Sequence, residues 1–125
     1  MKLISVYGTL RKGFGNHHFL ADQKFVGTGL TDEKYTMRAS GIPFVSKSRE
    51  GDPKTQILIE TYRVSERAFL SIDGLEGHPV FYKREVIPVT VEGVQLFTWL
   101  YFCEDGTGEI IESGDFSDHT RSYAL

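Results

Sequence analysis

The chain has 125 residues, of which 40% are hydrophobic and 25% charged, and its formal net charge is −3. This length suits one domain with a single core, and the composition excludes the classes of disordered and low-complexity chains. Acidic and basic residues are interspersed from end to end, so the charge pattern predicts no nucleic-acid partner and no anionic membrane partner.

The N-terminus and the single cysteine indicate the compartment in which the protein works. The apolar stretch before Gly8 is the five-residue LISVY, which is too short for the core of a signal peptide. Cys103 is the one cysteine of the chain, which rules out an intrachain disulfide and a cysteine-based zinc cluster. We therefore expect a cytoplasmic protein with a single domain over residues 1–125, and the sequence leaves its oligomeric state open.

The first half of the chain is predicted to form strands separated by turns. Residues Lys2–Tyr7 indicate a buried strand that stops at Gly8, and three glycines fall within eight residues counted from Gly8. Asn16 is a favoured N-cap and predicts a short helical turn through Leu20. Further strands are predicted over residues 24–30 and 35–38, residues 40–45 indicate a turn that enters a short edge strand, and residues 47–54 are predicted to form a polar loop.

The second half combines strands with one predicted helix. Residues Thr55–Val64 alternate in a way that indicates a strand with both faces partly covered. Ser65 is the predicted N-cap of a helix that ends at Gly74 or Gly77. The apolar stripe of this helix consists of Phe69, Ile72 and Leu75.

The strongest hairpin signal is Glu92-Gly93, which joins two long β-rich runs over residues 81–91 and 94–103. A loop, a short strand and an irregular tail are predicted after these runs. In total the pattern indicates six or seven strands, in hairpin order, and one clear helix. These elements predict an α+β fold whose sheet is mostly antiparallel and able to close into a barrel.

A glycine-rich loop, Tyr7-Gly8-Thr9-Leu10-Arg11-Lys12-Gly13, follows the first strand. Successive backbone N–H groups in such a loop can bind a carboxylate or a phosphate. The nucleotide-binding P-loop is excluded, because Phe14 stands where that motif needs Lys after its second glycine. On spacing alone, an ordinary turn and an anion-binding loop remain equally open.

A carboxylate, Glu76, lies between two glycines at the end of the predicted helix. The glycines allow its side chain to turn inward, where Leu75, Val80 and Phe81 can desolvate it and raise its pKa toward the range that suits a general acid/base. The alternative is a solvated carboxylate at a helix end. Asp73 is the competing carboxylate, and we expect its side chain to bind backbone N–H groups of the turn.

The remaining polar residues give weaker signals. His17 and His18 are adjacent and would not face one another on a helix, so no metal site is predicted there. Cys103 lies on a hydrophobic strand, which predicts an inert buried thiol. Tyr82 and Tyr101 are predicted to be sheet aromatics, and each can also present a hydroxyl to a pocket.

Three segments in this order, VYGTLRKG, IDGLEGHPVFYKREV and SGDF, resemble the γ-glutamyl cyclotransferase-like family. They are most similar to its γ-glutamylamine cyclotransferase and AIG2-like branch. The similarity runs from Ile4 to Phe116, which is nearly the whole chain. The string D-x-x-E-G-x-P-x-x-Y-x-R after YGTL is much more specific than YGTLR alone.

This resemblance implies a small mixed β-barrel with short flanking helices and a cavity that takes the γ-glutamyl group. It implies an enzyme that cyclises a γ-glutamyl amide to 5-oxoproline without a cofactor or a metal, and a small molecule as its partner. Glu76 matches the family's catalytic glutamate, and Asn16 and His17 are expected to support the loop. The substrate-binding residues carried over by position are Tyr7, Gly8, Thr9, Leu10, Tyr82 and Tyr101, with the backbone N–H groups of Gly8, Thr9 and Leu10 on the α-carboxylate.

Two departures and one alternative accompany the resemblance. Ile59 stands where relatives commonly have glycine, so we expect its larger side chain to narrow or reshape the cavity. The chain is also shorter than many relatives, which indicates that a lid or a specificity loop is missing. The alternative function is a non-catalytic protein that binds a γ-glutamyl or small carboxylate ligand on the same barrel.

Overall fold

The computed structural model describes residues 1–47 and 49–123 and contains eight strands. The strands are β1 Lys2–Val6, β2 Lys24–Thr31, β3 Thr36–Ser40, β4 Ile42–Ser46, β5 Leu58–Val64, β6 Lys83–Val91, β7 Val94–Phe102 and β8 Glu109–Ile110. The helices are α1 Glu66–Glu76 and α2 Phe116–Tyr123, and a short 3₁₀ turn covers His17–Phe19. No helix within the described ranges is long and apolar enough to cross a bilayer.

Five strands close into a barrel in the order β1-β5-β2-β6-β7. Its pairs are antiparallel apart from β1 and β7, which pair in parallel at Ile4 and Trp99 and make the barrel mixed. The other three strands form a small sheet in the order β4-β3-β8. The predicted α+β class with a closed, mostly antiparallel sheet is confirmed.

The predicted hairpin order is confirmed for β3–β4 of the small sheet and for β6–β7 of the barrel, which turns at Glu92-Gly93. It is wrong for the other strands of the barrel. There β5 pairs with both β1 and β2, which lie far away in the sequence. Alternation along a strand reports which faces are buried, but not which strand supplies the neighbouring hydrogen bonds.

The buried side chains form two clusters, one on each face of the barrel wall. Ile57 and Ile59 of β5 belong to the cluster inside the barrel. Tyr62 and Val64 of the same strand belong to the outer cluster, which α1 and the 3₁₀ turn cover. The prediction that both faces of this strand are covered is therefore confirmed, although its regular pairing begins at Leu58 rather than at Thr55.

Helix α1 begins and ends as its sequence predicts. The Oγ of Ser65 accepts a hydrogen bond from the N–H of Ala68 at 3.1 Å, which caps the first turn. Gly77 ends the helix with a left-handed φ of 67°. Phe69 and Ile72 are buried against the barrel, whereas Leu75, the third residue of the predicted stripe, is 40% exposed.

The prediction of an irregular tail is wrong, because α2 occupies Phe116–Tyr123. Asp115 starts this helix by accepting the N–H of Ser117 at 2.9 Å, and Phe116 is buried in the inner cluster. The segment FSDHTRS has one apolar residue, so it lacks the repeated apolar positions from which a helix is predicted. Residues 124–125 of the predicted tail, and Ser48 of the predicted polar loop, lie outside the described residues.

Three hydroxyl groups pair inside the barrel wall. Ser5 Oγ lies 2.8 Å from Thr61 Oγ1 and 2.7 Å from Thr98 Oγ1. All three residues are at most 1% exposed, so water cannot replace these hydrogen bonds. Ser5 therefore links β1 to both of its neighbours, β5 and β7, through side chains as well as through the backbone.

Replacing Ser5 by alanine is expected to lower the free energy of unfolding by about 1–3 kcal/mol, because two buried hydroxyls lose a shared partner. Urea denaturation measures the change. Ser71→Ala is the matched control, since Ser71 is exposed on α1 and its loss should shift the free energy by about 0.5 kcal/mol or less. Equal effects of the two substitutions would contradict the assigned role of Ser5.

Candidate active site

A cavity of about 160 Å³ lies where the end of β1, β4, the end of α1 and the start of β6 meet. This is smaller than the roughly 300–1,000 Å³ of pockets for drug-sized ligands, so it suits a group the size of one amino acid. The cavity brings together every site residue predicted from the sequence, which are Tyr7, Gly8, Thr9, Leu10, Glu76, Tyr82 and Tyr101.

The loop after β1 approaches β4 closely at Gly8. A Cβ atom on Gly8 would lie 2.5 Å from Cγ of Pro43, closer than real Cβ contacts allow. The backbone N–H groups of Gly8, Thr9 and Leu10 donate to no acceptor within the described part of the chain. These three residues line the cavity, so their N–H groups are available to an anion.

The 3₁₀ turn supports this loop from behind. The backbone N–H of Asn16 donates to the carbonyl of Thr9 at 3.0 Å, and its side-chain amide donates to Thr9 Oγ1 at 3.0 Å. Nδ1 of His17 lies 2.9 Å from the carbonyl oxygen of Leu10. The predicted supporting role of Asn16 and His17 is confirmed.

A buried carboxylate, Glu60, fixes the far side of the loop, and sequence reasoning missed this role. Glu60 is 7% exposed and accepts hydrogen bonds from the N–H of Lys12 at 3.0 Å and from the hydroxyl of Tyr62 at 2.8 Å. Arg11 lies 3.4 Å from Glu60 and 3.0 Å from Asp115, which joins the loop to the start of α2. An acidic residue within an otherwise buried strand was the available signal.

Glu76 is the last residue of α1 and lines the cavity. Across residues 1–47 and 49–123 no hydrogen bond or ion pair reaches its carboxylate, and burial alone raises its pKa to about 7. Leu75 and Phe81 line the cavity beside it, as predicted. The expectation that Val80 also shields Glu76 is wrong, because Val80 is 93% exposed.

Each of the three tyrosines in the cavity donates its hydroxyl hydrogen to the protein. Tyr7 donates to the carbonyl of Tyr101 at 2.7 Å, and Tyr82 donates to the carbonyl of Pro43 at 2.7 Å. Tyr101 donates to Asp73 at 2.5 Å. The oxygens of these hydroxyl groups can still accept a hydrogen bond.

The electrostatics place Glu76 close to these tyrosines. Burial raises the pKa of Tyr82, and the negative charge of Glu76 is the second cause. The same carboxylate contributes, after burial and other groups, to the raised pKa values of Tyr7 and Tyr101. A carboxylate and three phenols therefore share one poorly solvated space.

Asp73 binds side chains rather than turn N–H groups, so the expectation for its carboxylate is wrong. Arg84 donates to it from Nε at 2.8 Å and from Nη2 at 3.1 Å, and Tyr101 donates as well. The backbone carbonyl of Asp73, not its side chain, accepts the N–H of His78 at 3.0 Å. This paired geometry attaches the end of α1, one turn before Glu76, to β6 and β7.

Two further predictions concern Ile59 and Cys103. Ile59 lies in the inner cluster and does not line the cavity, so its side chain does not narrow the cavity directly, and the expectation that it reshapes the cavity stays a prediction. Cys103 is buried as predicted, and burial raises the pKa of its thiol. Among the residues that the structure describes, no group of three or more His, Cys, Asp or Glu side chains is placed to hold a metal ion.

Comparison with known proteins connects this chain to one family. The family model described as Gamma-glutamyl cyclotransferase, AIG2-like matches residues 4–118. A protein of Methanocaldococcus jannaschii named "Putative gamma-glutamylcyclotransferase" is 41% identical over 121 residues, covering 95% of this chain and 98% of that protein. The gamma-glutamylaminecyclotransferase of Homo sapiens is 34% identical over 99 residues, covering 71% of this chain and 62% of that protein.

Solved structures show the same fold. An uncharacterized protein of Pyrococcus horikoshii superposes with a TM-score of 0.77 at 26% identity, covering 99% of this chain and 97% of that one. An aig2-like protein of Mus musculus superposes with a TM-score of 0.75 at 28% identity, covering 86% of this chain and 80% of that one. The barrel and its helices thus form a fold with solved examples.

The raised pKa of Glu76 predicts how Glu76→Gln alters stability with pH. The carboxyl titrates at about 7 in the folded chain against an ordinary 4.5. The folded state therefore binds more protons between these values, and the free energy of unfolding of the wild type falls as pH rises through that window. The free energy of unfolding of Glu76→Gln should therefore rise relative to that of the wild type between about pH 5 and about pH 8, by at most on the order of 3 kcal/mol.

Urea unfolding at several pH values measures this difference. Glu66→Gln removes an exposed carboxylate of the same helix and gives the background for the loss of one negative charge. A difference between Glu76→Gln and the wild type that stays constant with pH would contradict the assignment of the raised pKa to Glu76.

Proposed function

This chain belongs to the γ-glutamyl cyclotransferase, AIG2-like family, and on that premise we propose that it is a γ-glutamyl cyclotransferase of the γ-glutamylamine type. It converts a γ-glutamyl amide to 5-oxoproline and releases an amine. The relatives from Homo sapiens and Rattus norvegicus named gamma-glutamylaminecyclotransferase support the amine branch. In this proposal residues 1–125 form one domain that carries the whole activity without a metal or a cofactor.

A single observation carries the proposal. Within the described structure Glu76 is a carboxylate without a protein partner, and it shares a small cavity with the free N–H groups of Gly8, Thr9 and Leu10. The γ-glutamyl group has an α-carboxylate and an α-ammonium on one carbon, which such a site complements. The loop N–H groups of Gly8, Thr9 and Leu10 hold the carboxylate, and Glu76 faces the ammonium.

The reaction then needs only groups of the substrate and of the protein. Glu76 takes a proton from the α-ammonium, and the resulting amine attacks the γ-carbonyl carbon to close a five-membered ring. The bond from that carbon to the leaving nitrogen breaks as Glu76 returns a proton to this nitrogen. Of the three ammonium protons, one stays on the ring nitrogen, and Glu76 passes the other two in turn: one to the leaving nitrogen as its bond breaks, and one from the ring nitrogen to the released amine, which departs as an ammonium ion at neutral pH.

Two physical factors favour this chemistry in the cavity. Nucleophile and electrophile belong to one molecule, so holding the substrate in the ring-closing geometry supplies much of the acceleration. A carboxyl group with a pKa of about 7 can both accept and donate a proton near neutral pH. Tyr7 and Tyr82 line the same space, and a phenol oxygen that donates its hydrogen elsewhere can still accept a hydrogen bond from the ammonium.

Replacing Glu76 by glutamine is expected to lower kcat for 5-oxoproline release by about 10²–10⁴-fold, because the proton can no longer be transferred. The measurement is 5-oxoproline formed from a panel of γ-glutamyl amines and dipeptides. Glu66→Gln is the control and should retain the rate of the wild type, since its side chain is exposed and lines no part of the cavity. If γ-glutamyl compounds bind to the wild type without turnover, the alternative of a non-catalytic binding protein is favoured. If turnover persists in Glu76→Gln, Glu76 is not the group that transfers the proton.

Chelation of metals is expected to leave the activity unchanged. The proposed proton transfers use Glu76 and the substrate, and the electrostatic contacts come from backbone N–H groups. The check is the rate of 5-oxoproline release before and after incubation with EDTA and removal of the chelator. A rate lost on this treatment and restored by a divalent cation would contradict the mechanism.

A further inference from the structure

The mouth of the cavity is bordered by three exposed apolar side chains. We call Ile42, Leu75 and Phe81 the apolar rim; they are 40%, 40% and 53% exposed and all line the cavity. They come from β4, from the end of α1 and from the turn before β6, so three separate segments place apolar surface at one opening. Single exposed apolar residues are ordinary, but their convergence on a cavity indicates a binding surface.

Phe81 of the rim is packed against the protein before any ligand binds. The Phe81 ring packs edge-on against Tyr82, with centroids 5.0 Å apart, and against Phe44 at 6.2 Å. On its other side, a Cβ atom on Gly77 would lie 3.1 Å from Cβ of Phe81, so the backbone of the turn abuts this residue. An aromatic wall that is already packed loses little conformational freedom when a substituent is placed on it.

The rim has no charged group of its own. Among the cavity-lining residues, all of which the structure describes, Glu76 is the one charged side chain. Charges on adjoining segments are directed elsewhere: Arg11 pairs with Glu60 and Asp115, and the ammonium of Lys12 lies over the ring of Phe25 at 3.6 Å. No cation is among the residues that line the cavity, so none of them can receive a carboxylate on the leaving amine, and the one anion is assigned to the α-ammonium of the substrate.

We propose that the preferred substrates release an amine with an uncharged alkyl or arylalkyl substituent, which lies on the apolar rim. This inference rests on the proposed cyclotransferase function and names its leaving group. A substituent that covers the rim removes apolar surface of the substrate and of the protein from water. Each buried methylene should raise kcat/KM about fourfold. A charged substituent at the same place loses hydration without gaining a partner.

Three substrates test the inference. γ-Glutamyl-n-pentylamide and γ-glutamyl-ε-lysine share the same five-carbon chain, and the lysine conjugate adds an ammonium and a carboxylate at its far end. γ-Glutamyl-methylamide has no chain to reach the rim. We expect kcat/KM for 5-oxoproline release to be at least tenfold higher for the pentylamide than for either of the other two.

The outcomes separate the two proposals. Turnover of the methylamide with no gain for the pentylamide would overturn the apolar leaving group and leave the cyclotransferase function standing. A lysine conjugate that equals or exceeds the pentylamide would overturn it in the same way. No 5-oxoproline from any of the three would defeat the cyclotransferase function and the inference together.

Variants of the rim provide a second test. Phe81→Ser is expected to lower kcat/KM for the pentylamide at least fivefold while changing that for the methylamide less than twofold. Phe97→Ser is the matched control, because Phe97 is 63% exposed on β7 and does not line the cavity, and it should alter neither value. Equal losses on both substrates in Phe81→Ser, with urea unfolding unchanged, would overturn the role of the rim in substrate choice.

Ile42→Glu is expected to reduce the preference for the pentylamide over the lysine conjugate, and an unchanged preference would count against the proposal.

Discussion

The paired hydrogen bonds between Asp73 and Arg84 attach the end of α1 to the barrel, and the geometry of the cavity depends on that attachment. The Arg84 guanidinium also lies over the rings of Phe69 and Trp99, at 4.4 and 4.5 Å from their centroids. Charge pairing and aromatic packing therefore act on the same group. Because Glu76 follows Asp73 by one helical turn, its carboxylate is brought to the cavity by contacts that lie outside it.

The two glutamates near the loop show how environment divides structural from chemical roles. Glu60 is buried but receives three donors from Arg11, Lys12 and Tyr62, so its charge is compensated and it fixes the loop. Glu76 receives no donor from the described residues, and burial raises its pKa to about 7. A compensated buried charge stabilises a conformation, whereas an uncompensated one remains reactive toward a proton. The proposed chemistry uses the second of these states.

Several features of the site were within reach of the sequence, and others were not. Tyr7, Gly8 and Glu76 were predicted because local signals mark them: a strand that stops at glycine, and a carboxylate between glycines at a helix end. Pairing the loop with Glu76 required the family resemblance, since spacing alone left the loop open to two interpretations. The partners of Asp73 and the network of Arg11, Glu60 and Asp115 were missed, because each joins residues from segments whose order in space the sequence does not state.

The sequence by itself determined most of the strands and both ends of α1, because alternation, capping and glycine conformation act over a few neighbouring positions. Tertiary structure alone decided the strand order of the barrel, the helix α2 and the apolar rim. These depend on contacts between distant segments: β5 lies between β1 and β2, and Asp115 starts α2 while binding Arg11 of the loop. Burial decides the state of Glu76 in the same way, since the residues that exclude water from it come from different segments of the chain.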